Sequence, residues 1–372
     1  MKIVTVLGAR PQFIKAASVS RNLSDRKGVS EIIVHTGQHY DANMSDVFFD
    51  QLKIPRPVYN LKISNLSHGA MTGRMLGGIE EILVQESPDW VLVYGDTNST
   101  LAGALAASKL HLPVAHVEAG LRSFNPYMPE EINRILVDRV SNLLLCPSES
   151  AINNLLKEGY PFSIASRGNG MHLQKIEAVG DVMFDSLINY KDQISHALDL
   201  NELGIGHRAY ALCTLHRQEN TENNDRFFDI LAALREIAKE LPVVVPMHPR
   251  TRAKISEGQK MELLFGLDVI EPLPYLQMQS LVANAKLVLT DSGGLQKEAY
   301  FHGVPCITLR EETEWIETVQ TGWNQVAGVK REGIRNAYSK ANCPKTKPGV
   351  LYGDGTAAAQ IVDLLLRYTH RN

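Results

Sequence analysis

Thr290-Asp291-Ser292-Gly293-Gly294-Leu295-Gln296-Lys297-Glu298 follows a mostly apolar run, residues 285–289, and opens a helical pattern. The run reads as a buried strand, and Ser292 is placed to cap the helix. Gly293 and Gly294 let a bulky anion approach the unpaired N–H groups of the first turn, where the helix dipole favours negative charge. Glu298 lies too far along to touch the same phosphate but within reach of a sugar hydroxyl beside it. The segment predicts a socket for a nucleotide diphosphate with its ribose. The plain alternative is an ordinary capped helix in an α/β domain.

Working outward, apolar runs alternate with helical periodicity along the whole chain. Strands are expected at residues 3–7, 31–35, 90–94, 114–117, 143–146 and 176–179, with helices near 13–23, 44–52, 68–85 and 101–110. Residues 163–174 are mostly polar and read as a surface loop, and a helix is expected from 181 to about 196. A second alternation follows, with strands at 210–215, 243–246, 268–270, 286–290 and 306–308 and helices near 226–240, 276–283 and 294–301. The last stretch, 355–371, reads as a helix with apolar Ile361, Leu364, Leu365 and Tyr368. Such alternation predicts α/β, doubly wound, mostly parallel sheets whose ligands gather at the C-terminal strand ends. Two similar domains facing each other across a cleft is the simplest architecture. The expected division is 1–180, joined by the helix 355–372, and 181–354.

At 372 residues the chain is comfortable for two domains, and its 44% hydrophobic and 21% charged content supports a large core. A net charge of −3 offers no global attraction to nucleic acid, so an anionic ligand needs local charge. The apolar start, Met1 to Leu7, reads as a first strand and is too short for a signal peptide. No apolar stretch reaches membrane-spanning length. The cysteines Cys146, Cys213, Cys306 and Cys343 show no paired spacing, and the first three sit in apolar runs as small hydrophobes. A cytoplasmic, disulfide-free enzyme is expected.

Further motifs sit at strand ends. Gly8-Ala9-Arg10-Pro11 joins the first strand to the first helix, with Gly8 allowing a tight turn and Arg10 offering its planar fork to a phosphate. No G-x-G-x-x-G or G-x-x-x-x-G-K-[ST] occurs, which argues against NAD binding and ATP hydrolysis. Asp96, after Tyr94-Gly95, and Glu118, after His116-Val117, close consecutive buried strands. Two carboxylates so placed are partly desolvated and suited to general acid and base roles. Glu130 and Glu131 begin a helix, where acids are favoured anyway, and Glu130 is spaced to pair with Arg134 at i,i+4. His216 and Arg217 end a strand of the second domain, as does Met247-His248-Pro249-Arg250, and Arg310-Glu311-Glu312 follows the strand after the socket. His35 and His39 lack the helical setting that would align them on a metal, so no metal and no cofactor is expected.

Together these segments resemble the non-hydrolysing UDP-N-acetylglucosamine 2-epimerases. The match runs in order through Gly8-Ala9-Arg10-Pro11, His35-Thr36-Gly37-Gln38-His39, Gly95-Asp96-Thr97, His116 to Arg122, Pro129 to Arg134, His216-Arg217 and Asp291 to Glu298. The resemblance implies the glycosyltransferase-B architecture, a homodimer, and inversion at C2 of a UDP-linked amino sugar by elimination of UDP to a glycal and re-addition. It implies Asp96, Glu118 and Glu130 as the functional acids, with Asp96 and Glu130 handling protons, and His216 as a further catalytic group. Arg10, Lys15, Arg134, Arg217, Arg310, Ser292, Gly293 and Gly294 are implied in binding, Glu298 at the ribose and Tyr275 at the uridine.

Two segments depart from the family's common pattern. Thr313-Glu314-Trp315-Ile316-Glu317 stands where members acting on plain UDP-N-acetylglucosamine often read Thr-Glu-Arg-Pro-Glu. Asn65-Leu66 stands near where many bacterial members carry the Arg-Gln of a second, activating substrate site. With Ser123-Phe124-Asn125, these changes look more like the branch acting on UDP-2,3-diacetamido-2,3-dideoxy-glucuronate in O-antigen synthesis, with Arg122 a candidate partner for the uronate. Both substrates stay open at this point. A sugar-nucleotide glycosyltransferase of the same architecture is the alternative enzyme, and a non-catalytic nucleotide-sugar sensor is a third reading.

Overall fold

The structure is a computed structural model that describes residues 1–38, 49, 51–166, 170–221, 223–247, 252, 261–341, 344 and 348–369. The chain divides into two compact units, residues 1–189 with 350–372, and residues 190–349.

In the first unit the order is β1 (Lys2–Leu7), α1 (Arg10–Ser24), β2 (Ser30–His35), β3 (Tyr59–Asn60), α2 (His68–Glu86), β4 (Trp90–Tyr94), α3 (Asn98–Lys109) and β5 (Val114–Val117). There follow α4 (Pro129–Val140), β6 (Leu143–Cys146), α5 (Glu149–Lys157), β7 (Ser163–Ser166), β8 (Gly170–Leu173), β9 (Lys175–Ala178) and α6 (Val182–Asn189). The main sheet runs β3-β2-β1-β4-β5-β6-β9, parallel throughout. Strands β4, β5 and β6 are buried along their whole length, as expected where helices cover both faces.

The second unit repeats the plan. It comprises α7 (Lys191–Ser195), β10 (Ala211–Thr214), α8 (Gln218–Thr221), α9 (Asn224–Ala238), β11 (Val243–Pro246), β12 (Asp268–Ile270) and α10 (Tyr275–Asn284). Then come β13 (Leu287–Thr290), α11 (Gly293–Phe301), β14 (Cys306–Thr308), α12 (Ile316–Gln320), β15 (Asn324–Val326) and α13 (Arg331–Lys340). Its sheet, β12-β11-β10-β13-β14-β15, is again parallel. Separate clusters pack against its two faces, one around Ile230, Leu234 and Ile237 of α9, the other around Leu281 and Val282 of α10 with Leu295 and Ala299 of α11. In both sheets the strand order reverses direction at one pair, β1/β4 and β10/β13. Such a switch point opens a crevice at the C-terminal strand edge.

The closing helix α14 (Ala357–Thr369) belongs to the first unit. Asp185 of α6 accepts the N–H of Ala358 at 2.7 Å, Trp90 donates to Thr369 at 2.8 Å, and Tyr368 donates to Glu177 at 2.6 Å. No helix among the described residues is long and apolar enough to cross a membrane.

Three local expectations are corrected. Residues 163–174 contain the antiparallel hairpin β7–β8 rather than only loop. The helix expected from 181 to about 196 is broken at Tyr190, which leaves helical geometry at φ −106° and ψ 8°. Gly8 is needed for close approach, since a Cβ there would collide with Thr36 Oγ1 and Ser99 Oγ. The helix expected at 44–52 falls largely outside the described residues, as do His39, His248, Arg250 and Cys343.

Candidate functional site

At the switch point of the first unit the turn from β1 into α1 is organised by a side chain the motif reading passed over. Gln12 accepts the N–H groups of Gly8 and Ala9 at 2.8 and 3.0 Å, and donates to Tyr94 O and Thr100 Oγ1 at 2.9 and 3.0 Å. The N–H groups of Gly8 and Ala9 are thus satisfied internally, and the side chain of Arg10 beside them is half-buried.

Asp96 and Glu118 lie at the same sheet edge, since Tyr94 and Val117 are register partners. Each acid has its own cation, so they are not a pair of bare carboxylates facing each other. Arg134 donates to Asp96 Oδ2 at 2.5 Å, and Lys15 Nζ lies 2.5 Å from Glu118 Oε1, with both Lys15 and Glu118 more than 90% buried. Lys15, expected among the phosphate ligands, is therefore engaged with an acid. Glu118 has a left-handed backbone, φ +74°, which strains a residue with a side chain by about 1–3 kcal/mol. Gly95, at φ +64°, leaves room for the Lys15 ammonium.

Helix α4 contributes the rest. Glu130 is half-buried at its first turn, whereas Glu131 is buried. The ion pair of Arg134 within this helix is with Glu131, at i,i+3 and 2.9 Å, one residue nearer than expected. The Glu131 carboxylate also accepts Ser123 N, Ser123 Oγ and Phe124 N between 2.9 and 3.0 Å. It thereby fixes the loop before the helix. Arg122, considered for a substrate carboxylate, turns inward. It makes a bidentate pair with Glu158 at 2.7 and 2.8 Å and donates to Asp138 at 2.7 Å.

In the second unit Ser292 caps α11, accepting Leu295 N at 3.5 Å. A Cβ on Gly293 would collide with Glu314 Oε1, so this glycine also makes room for the segment after β14. There Arg310, buried, faces Glu314 at 2.9 Å, and Trp315 lies under Lys297, whose Nζ is 3.9 Å from the ring centre. Lys297 is fully buried, so the Trp face stabilises a charge withdrawn from water. Gln296 accepts from Thr313 and Asn324 at 2.6 and 3.1 Å, tying the same segment to α11. Glu298 is buried on α11 and Tyr275 is buried at the start of α10.

His216 is exposed and Arg217 half-buried just beyond β10, across the switch point from the socket. Their backbone N–H groups are held by Asp291, which also accepts from Asn220 Nδ2 at 3.1 Å. Thr214 and Thr290, at the ends of β10 and β13, share a hydrogen bond of 2.6 Å. Asp291 was legible only as part of the socket, and its role as the clamp of the basic turn depends on partners more than 70 residues away.

Two Rossmann-like units of this kind place the chain in the glycosyltransferase-B-like fold class. The profile of the family described as UDP-N-acetylglucosamine 2-epimerase matches residues 21–366. The UDP-2,3-diacetamido-2,3-dideoxy-D-glucuronate 2-epimerase of Pseudomonas aeruginosa is 50% identical over 370 residues, 99% of this chain and 100% of that protein. A UDP-N-acetylglucosamine 2-epimerase of Methanococcus maripaludis is 42% identical, with 98% of each chain covered. The crystal structure of the Methanocaldococcus jannaschii UDP-GlcNAc 2-epimerase in complex with UDP-GlcNAc and UDP superposes with a TM-score of 0.88 at 40% identity, over 99% of this chain and 100% of that one. The chain belongs to the UDP-N-acetylglucosamine 2-epimerase family and is an isomerase, a UDP-sugar 2-epimerase.

Proposed function

We propose that the chain converts UDP-2,3-diacetamido-2,3-dideoxy-glucuronate to its manno epimer, for surface polysaccharide synthesis in the cytoplasm. The observation that carries the choice of substrate is the 50% identity, end to end, with the Pseudomonas enzyme named for that sugar. The Lys297–Trp315 contact supports it, because it builds the segment that departs from the common Thr-Glu-Arg-Pro-Glu pattern into the base of the socket.

The C2 hydrogen of such a sugar has no adjacent carbonyl to acidify it, so expulsion of UDP must assist its removal. A carboxylate takes the C2 proton while the bond from C1 to the UDP oxygen breaks, leaving a C1=C2 glycal and free UDP. The UDP oxygen then re-adds to C1 as a proton reaches C2 from the opposite face. Asp96 and Glu130 handle these protons, Glu118 and Lys15 set the charge beside them, and Arg134 orients Asp96. Departing UDP is stabilised by Arg10, His216, Arg217 and the Ser292-Gly293-Gly294 helix start, with Glu298 at the ribose and Tyr275 at the uridine. Arg310 acts behind this socket by holding Glu314 against Gly293.

A homodimer completes the proposal. Ile132, Ile135 and Leu136 form an apolar stripe on the outer face of α4, 42–49% exposed, and light scattering of the purified protein would give the mass of the dimer.

The test is turnover of the diacetamido-uronate and of UDP-N-acetylglucosamine, each alone, in deuterated water. Deuterium at C2 and the manno epimer are expected, faster from the uronate. Preference for the neutral sugar would overturn the substrate assignment, and absence of C2 exchange with both would overturn the roles of the acids.

A further inference from the structure

Beneath the two acid-bearing turns of the first unit lies a buried cluster of charge. Its centre is Asp138 on α4, which is fully buried. Asp138 Oδ1 pairs with His116 Nδ1 at 2.7 Å, and Oδ2 accepts from Arg122 at 2.7 Å and from the N–H of Gly120 at 3.1 Å. The other ring nitrogen of His116 donates to Gly95 O at 2.8 Å. A carbonyl only accepts, and the Asp138 carboxylate, which also takes Arg122 and the Gly120 N–H, accepts as well, so both hydrogen bonds of His116 are donated by its ring. Burial alone would raise the Asp138 carboxyl, but His116 and Arg122 outweigh it and hold it below the usual carboxylate value.

The geometry links this one carboxylate to both turns. Gly95 immediately precedes Asp96, and Gly120 follows Glu118 by two residues. Both glycines have left-handed backbones, at φ +64° and +81°. Asp138 holds the Glu118 turn directly through Gly120 and the Asp96 turn through His116. Asn154, donating to Gly120 O at 3.1 Å, and Asn133, donating to Asp96 O at 2.7 Å, each fix one further carbonyl of the same turns.

We propose that Asp138, acting through His116 and the Gly120 N–H, is the positioning residue that sets Asp96 and Glu118 in register for the reaction. This rests on the reading of those two residues as the acids of the epimerisation. Proton transfer at carbon tolerates little misplacement, and an error near 1 Å costs about 100-fold in rate.

Asp138→Asn keeps the volume but supplies one amide donor where the site needs only acceptors, so one of the two arms is lost. His116→Gln removes the Gly95 arm and leaves the Asp138–Arg122 pair intact, and it carries the test if Asp138→Asn does not fold. Turnover of the diacetamido-uronate nucleotide and UDP binding by calorimetry are measured on each. The expected result is a fall in kcat of about 100-fold with KM and UDP affinity within about twofold of the wild type. Nitrogen-15 spectra of the wild-type imidazole are expected to show both ring nitrogens of His116 protonated. Wild-type kcat in a folded variant, or a raised KM at unchanged kcat, overturns the inference. Failure of the wild type to exchange the C2 hydrogen overturns instead the underlying reading of the acids.

Discussion

Asp291 takes the backbone N–H of His216 on its carboxylate at 3.0 Å, so the strand that ends in the glycine socket also shapes the basic turn of its neighbour. The same side chain receives Arg217 N at 3.1 Å. Hydrogen bonds to an ionised acceptor contribute about 1.5–3 kcal/mol each. Asp291→Ala is therefore expected to free the His216-Arg217 turn and to weaken UDP binding by about 10- to 100-fold, as titration calorimetry would show. Unchanged affinity would separate the basic turn from the nucleotide site.

The buried Lys15–Glu118 pair is expected to be costly to break from one side. Glu118→Gln leaves an ammonium buried without its counter-charge, a loss of about 3–5 kcal/mol in urea unfolding. Adding Lys15→Met is expected to restore most of that stability while turnover stays absent. If the double variant is no more stable than the single one, the pair does not carry the charge balance of the first unit.

Trp315 offers a second check on charge. Trp315→Arg, which restores the residue common in the family, puts a guanidinium where the indole now faces the fully buried Lys297. Two like charges about 4 Å apart repel by about 4 kcal/mol at an effective dielectric near 20. A fall in melting temperature is expected, with recovery on adding Lys297→Glu. Equal melting temperatures for the Trp315→Arg variant and the wild type would show that the ammonium turns elsewhere.

Asp185 makes stability depend on pH. Burial raises its carboxyl from 3.8 to about 6, against the lowering effect of the Ala358 and Ala357 N–H groups. The folded state holds this proton more tightly than the unfolded chain, so the stabilisation is complete below about pH 4 and lost as pH rises through about 6. Asp185→Asn imitates the protonated form and keeps an acceptor for Ala358. It is expected to be more stable than the wild type at pH 8 by on the order of 2–3 kcal/mol, with the gap closing towards pH 4. A gap independent of pH would mean that Asp185 does not titrate between the two states.

Much of this was legible because short strand-end motifs carry their own chemistry. The Thr290 to Glu298 stretch identifies a strand, a cap and a helix start without distant information, and β4, β6 and β11 are solid apolar runs. The hairpin β7–β8 was not legible, because its exposed Met171 and Leu173 and its polar neighbours leave no buried face to read. Helix α13 buries only Ile334 and Ala337, too few to mark a period. Within the site, Gln12, Glu131, Asp138 and Asp291 were overlooked as organisers for a different reason. Each is an ordinary polar residue by itself, and its meaning comes from backbone groups brought to it by folding.

The docking of α14 on the first unit has a consequence for how the protein is made. A ribosome delivers residues 190–349 before the helix that Asp185, Trp90 and Glu177 await. The inserted unit is thus free to mature during translation, while the first unit stays unfinished until α14 emerges. Nascent chains stalled shortly before Ala357 should hence pair a protease-resistant middle with a vulnerable beginning.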